Sequence, residues 1–152
     1  MQTNGEGQRL IVPAMAGLYE RLSPWAYTIM RVAVGASLVP HGIQKVMSGS
    51  IVTYTNNIAG HGLPGATLLA YLVFFTESVA ASCLAIGLGT RLAAAMIAVQ
   101  MFVITFVFQW PNGYNWTSRG YEYPLLLGVL ATAIFFKGGG PHSVDRAIGK
   151  EF

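Results

Sequence analysis

The sequence predicts an all-helical integral membrane protein, a four-helix bundle with both termini in the cytoplasm. Three observations carry that expectation. Hydrophobic residues make up 53% of the chain and charged residues only 10%, against roughly 25% charged in a soluble domain. A surface in water needs more charge, so much of this one must face an apolar phase. The apolar residues also gather into four stretches, 25–47, 63–88, 91–110 and 118–137, each near the roughly 20 residues that a membrane span needs. Finally, the flanking basic residues are one-sided. Arg9, Arg21, Arg91, Lys137, Arg146 and Lys150 fall on one face of a four-span chain, while the other face has Arg119 and Lys45 at the end of the first stretch. Excess Lys and Arg marks the cytoplasmic side.

Residues 1–24 read as a cytoplasmic segment. They hold Glu6, Arg9, Glu20 and Arg21 and lack a compact apolar run ending in a cleavage site, so the first span is expected to be retained. Helix 1 (25–47) carries Pro40, which removes a backbone donor and frees a carbonyl one turn earlier. A polar outer loop follows, with Tyr54, Asn56, Asn57 and His61. It is long enough for a short interfacial helix. Pro64 suits the start of helix 2 (63–88), and Gly87-Leu88-Gly89-Thr90 makes a tight turn into helix 3 (91–110). The second outer loop is turn-rich, with Pro111, Asn112 and Gly113, and Ser118 suits the cap of helix 4 (118–137). Gly138-Gly139-Gly140-Pro141 ends that helix, and 138–152 reads as a cytoplasmic tail with a short amphipathic turn over Ser143 to Ile148. Trp25, Trp110, Trp116, Tyr114, Tyr121 and Tyr123 lie near span ends, where amphipathic rings favour the headgroup layer.

Composition excludes several chemistries. Cys83 is the only cysteine, so an intramolecular disulfide, a CxxC redox pair and a thiolate zinc site are ruled out. His41, His61 and His142 are split between the two sides of the membrane by this topology, so they predict no shared metal site. The net charge of +3 follows from topology and is no nucleic-acid signature. No catalytic constellation is evident.

What stands out is charge inside the apolar stretches: Arg31, His41 and Lys45 in helix 1, Glu77 in helix 2 and Glu122 in helix 4. Each such group costs roughly 2.5–3.5 kcal/mol near the membrane centre. Counting 1.5 Å per residue from the middle of each span puts Arg31 about 7 Å and Glu77 about 3 Å to the cytoplasmic side. The expectation is a buried ion pair between Arg31 and Glu77. Lys45 and Glu122 fall about 13 Å and 10 Å to the outside, with Gln109 and His41 nearby. Arg31, Gly35, Leu38, Gly42 and Lys45 share one face of helix 1, where the glycines invite close approach by a neighbour. Each charge also has a plain structural reading. An Arg31–Glu77 pair would fix helix register, and Lys45 and Glu122 could snorkel to the interface. His41 stands apart because imidazole exchanges protons near neutrality.

These residues resemble the DoxX family of small four-helix bacterial membrane proteins. The shared features run in order: Arg31-Val-Ala-Val-Gly35, His41-Gly42-Ile-Gln-Lys45, Gly62-Leu-Pro64, the mid-helix Glu77, Gly87-Leu-Gly-Thr-Arg91, and Gly138-Gly-Gly-Pro141 followed by Ser143-Val-Asp145. The resemblance covers about Arg31 to Ala147. It implies a multi-pass protein of the bacterial cytoplasmic (inner) membrane, acting as a subunit or accessory partner of a quinone-linked redox or respiratory complex, with quinone as the one cofactor suggested. The partners expected are the lipid bilayer and a larger membrane complex or a homo-oligomer. Without a nucleotide-binding glycine motif, paired cysteines or haem ligation, the chain does not read as a self-contained enzyme. A quinone carbonyl needs a donor and its ring an aromatic wall, so the ligand candidates are His41, Lys45, Gln109, Tyr121 and Glu122. Two other readings remain open: a small-solute or proton-coupled transporter working as an oligomer, and a structural scaffold.

Overall fold

A computed structural model describes residues 10–151 of the chain; Arg9, counted above for topology, lies outside them. The fold is all-helical, and no strand occurs among the described residues. Helix α1 spans Ala16–Met47 and starts well before the apolar run at Trp25. Hydropathy marks where lipid exposure begins, whereas helix formation needs only compatible residues. Leu18, Leu22, Trp25 and Ile29 continue one exposed apolar stripe through the polar segment. Its buried stripe is Thr28, Arg31, Val34, Gly35, Leu38, Gly42 and Lys45, the face expected from the sequence. Pro40 lies on the exposed side, so the carbonyl it frees at Ala36 faces away from the helical neighbours.

The loop after α1 folds into a short helix, α2 (Ile51–Gly60), anchored by buried Ile58. The glycines before and after it, Gly49 and Gly62, both adopt the left-handed backbone. Helix α3 covers Ala66–Ile86 and α4 covers Thr90–Asn112. Each contains one π-helical turn, at Thr76–Ala80 and Ile104–Gln109. Helix α5 (Glu122–Lys137) has 16 residues, and α6 (Val144–Ile148) forms where the amphipathic turn was expected, with the Ser143 side chain accepting from Arg146 N. By length and composition, α3 and α4 can cross a membrane; α5 is shorter than the roughly 20 residues of a full span.

α1 packs antiparallel on α3, α4 packs on α5, and α3 joins the two pairs. The core uses small residues: Ala80, Ala81, Ala93, Ala94, Ala98 and Ala131 pack with Val34, Leu38, Leu84, Ile97, Met101, Leu127 and Ile134. Small side chains let helix backbones approach when the surroundings supply no hydrophobic drive. Gly35 is the tightest such contact: a Cβ there would lie 2.5 Å from Ala81 O and 2.6 Å from Ala85 N. The arrangement is the reverse of a soluble domain. Arg31, Lys45, Glu77, Gln100, Thr90 and Thr105 are buried, while Leu68, Val99, Phe106, Leu126 and Phe136 are exposed.

Candidate functional site

The buried polar centre is built around Glu77, in the π-helical turn of α3. Lys45 of α1 donates to Glu77 Oε2, and Gln100 Nε2 of α4 donates to Glu77 Oε1 at 2.8 Å. One carboxylate therefore ties three helices. Both charged side chains are about 95% buried, and the Lys45 ammonium lies 4.5 Å from the centroid of the Tyr54 ring on α2. Burial of a pair is tolerable only when the remaining lone pairs and protons find partners, and Gln100 and Tyr54 provide them. A π turn shifts the side chains of its residues relative to a regular helix and often marks functional positions.

The Arg31–Glu77 pair expected from the sequence does not form. Arg31 donates from Nη2 to the carbonyl of His142 at 2.7 Å, and its Nε and Nη1 have no hydrogen-bond partner among the described residues. The reason is the direction in which helical side chains lean. They tilt toward the N-terminus of their own helix. Lys45 therefore reaches back to the level of Gly42, which packs on the Glu77–Ser78 backbone, and Glu77, on an antiparallel helix, leans toward Lys45. Arg31 leans the opposite way, to the Gly87 turn. Depth counted from span midpoints contains none of this, and α1 is not centred on its apolar run.

At that end of the bundle the tail is fastened to α1 and α4. His142 stacks on Trp25 with ring centroids 3.9 Å apart, and its Nδ1 lies 3.2 Å from Thr28 Oγ1. Tyr27 donates to the carbonyl of Gly138. Asp145 accepts from Gly89 N (2.6 Å), Thr90 N (2.8 Å) and the Thr90 hydroxyl (2.6 Å), so a distant residue caps the start of α4. Burial alone would raise the Asp145 carboxyl. The Thr90 hydroxyl, the Thr90 and Gly89 backbone donors and the Arg31 charge outweigh it and hold the group below the ordinary carboxylate value.

The five outer candidates do not converge on one point. Lys45 is engaged by Glu77. His41 is exposed, its ring 6.5 Å from that of Tyr123, and it makes no hydrogen bond among the described residues. Tyr121 is stacked on Trp110 at 4.6 Å, with Tyr114 edge-on at 5.7 Å. Glu122 accepts from Trp116 N at 3.3 Å, closing the loop before α5. Gln109 Oε1 is buried without a partner among the described residues.

The family model for DoxX matches residues 26–110, more than half of the chain. The chain belongs to the DoxX family. It is accordingly a membrane protein, and the resemblance read from the motifs is correct. Comparisons with curated proteins and with solved structures returned no match. The DoxX match takes in Arg31, His41, Lys45, Glu77 and Gln100 and ends before α5, so Tyr121, Glu122 and the docked tail lie beyond it. Sequence reasoning missed Gln100, Tyr54, Thr90 and Asp145 as partners in these networks. Gln100 carried a usable signal, as an amide in the middle of the apolar run of α4. Asp145 carried a weaker one, inside the tail motif already noted.

Proposed function

We propose that this DoxX protein is a four-span, multi-pass subunit of the bacterial cytoplasmic membrane, with both termini inside, serving as accessory partner of a quinone-linked redox complex. The observation that carries the reading is His41. With Lys45 held by Glu77, this imidazole is an exposed donor with no hydrogen-bond partner among the described residues, beside an exposed Tyr123. A donor presented at an apolar lateral surface suits a ligand that arrives through the bilayer, where a quinone carbonyl accepts a hydrogen bond and the phenol ring lines its face.

Wild-type protein purified in mild detergent should retain or bind a short-chain quinone, measured by extraction and titration. His41→Ala should weaken that binding a few-fold to about tenfold, the value of one hydrogen bond, with normal folded yield because the side chain is exposed. Failure of the wild-type protein to bind any quinone would sink the reading.

The topology has its own test. In a background with Cys83 replaced by Ser, single cysteines at Asn56 and Asn115 should react with an impermeant thiol reagent added outside intact cells. Labelling only after the cytoplasmic face is opened would overturn it.

A second reading rests on the buried pair. Membrane-depth ionisable groups often serve proton relays, so Lys45–Glu77 would be the coupling group of a transporter working as an oligomer. Substrate-dependent proton flux in vesicles, abolished by Glu77→Gln, would favour it over the accessory role.

A further inference from the structure

Docking of the tail builds a cleft of about 380 Å³ at the end of α5, lined by Lys137, Ser143, Arg146, Lys150 and Glu151 among others. Two carboxylates border it, and both are committed to the fold. Asp145 spends its oxygens on Gly89 and Thr90, and Glu151 Oε1 accepts from Gly139 N at 2.6 Å and lies 3.7 Å from Arg91 Nε. Lys137, Arg146 and Lys150 have no carboxylate partner among the described residues. Three like charges from the end of α5, from α6 and from the segment after it are thus gathered around one concave space. The two carboxylates offset part of this charge, and the cleft is left net positive, a setting that attracts an anion.

We propose that this cleft binds the phosphate headgroup of an acidic phospholipid. The position argues for a lipid: Lys137 is the last residue of the apolar helix α5, and Phe136 before it and Ile148, next in sequence to the cleft-lining Gly149, are 71% and 57% exposed. Cations at the end of a membrane helix, next to exposed apolar side chains, meet headgroup and acyl chain together. The site is independent of the quinone reading, and it rests on the proposed topology only for which leaflet supplies the lipid.

The full chain in neutral detergent micelles is titrated with phosphatidylglycerol or phosphatidylcholine, and bound lipid is counted by native mass spectrometry. Phosphatidylglycerol should saturate one site that phosphatidylcholine does not fill. Lys137→Gln combined with Lys150→Gln should weaken it roughly thirtyfold, several-fold for each basic group. The charge-matched pair Arg21→Gln with Arg119→Gln should leave it unchanged. Equal weakening by both pairs would mean diffuse surface attraction and overturn the site. Full displacement by millimolar inorganic phosphate would mean a free-phosphate site and overturn the lipid assignment. Absence of saturable binding would overturn both. Micelles expose both ends of the bundle, so an inverted topology leaves these outcomes unchanged.

Discussion

Glu77→Ala should be among the most damaging single substitutions in the bundle. It leaves the Lys45 ammonium, 5% exposed, without its counter-charge, and takes an acceptor from Gln100. Removing one partner of a buried pair typically costs about 3–5 kcal/mol, so folded yield and melting temperature in detergent should both fall steeply. Lys45→Ala should do comparable harm, because the carboxylate then stays buried and uncompensated. Replacing both residues by methionine should recover much of the loss, since an apolar pair of similar volume carries no desolvation penalty. Gln100→Ala should cost less, as it removes one neutral donor. The discriminating cycle pairs Glu77→Ala with Arg31→Ala. Arg31 lies about 21 Å along α1 from Lys45 at 1.5 Å per residue, so these two losses should add to within about 0.5 kcal/mol. Strong coupling of Glu77 to Arg31, with additivity between Glu77 and Lys45, would contradict the assignment.

The second large effect is expected at Asp145. Asp145→Ala removes one charged acceptor from two backbone donors and a hydroxyl at the start of α4. With N-cap losses of about 0.5–2 kcal/mol and charge-assisted bonds of about 1.5–3 kcal/mol, a destabilisation of roughly 2–3 kcal/mol follows. The tail should come loose, so trypsin should cut at Arg146 and Lys150 faster than in the wild-type protein. Thr90→Val should show a milder form, because the two backbone donors keep their acceptor. The dependence on pH has a definite sign. The folded carboxyl titrates below its unfolded value, so its contribution is complete above the unfolded value, about 3.9, and fades as pH falls through the lower folded one. The melting-temperature gap between wild type and Asp145→Asn should therefore be widest near neutrality and close in acid. A gap that stays constant down to pH 2 would show that the charge of Asp145 is not what fastens the tail.

Much of this was legible in the residues. Apolar runs and scarce charge gave the helical class and the membrane setting, because both follow from composition and from period along the chain. The glycine face of α1 was legible for the same reason: Gly35 and Gly42 repeat at helical spacing, and the structure uses both for close approach to α3. The short helix α2 was legible from loop length, and the turn at α6 from its amphipathic pattern. The family was readable from ordered short motifs, most of them within the matched residues 26–110.

Partner choice among the buried charges was not legible. The sequence determined that Arg31, Lys45 and Glu77 would sit among apolar residues and need compensation. The tertiary structure alone decided that Lys45 takes Glu77, with Gln100 as second donor, and that Arg31 turns to the His142 carbonyl. The deciding quantities are the register of α1 against α3, set where Gly35 meets Ala81 and Ala85, and the lean of each side chain toward its own N-terminus. The same holds for the tail. Asp145 reads locally as a helix-start residue of α6, and its cap on α4 exists because folding brings the Gly87–Thr90 turn within hydrogen-bond reach of it. Pattern along a chain fixes which faces are buried; which groups meet across those faces depends on offsets between helices, and one residue of offset moves a side chain by about 1.5 Å along the helix and 100° around it.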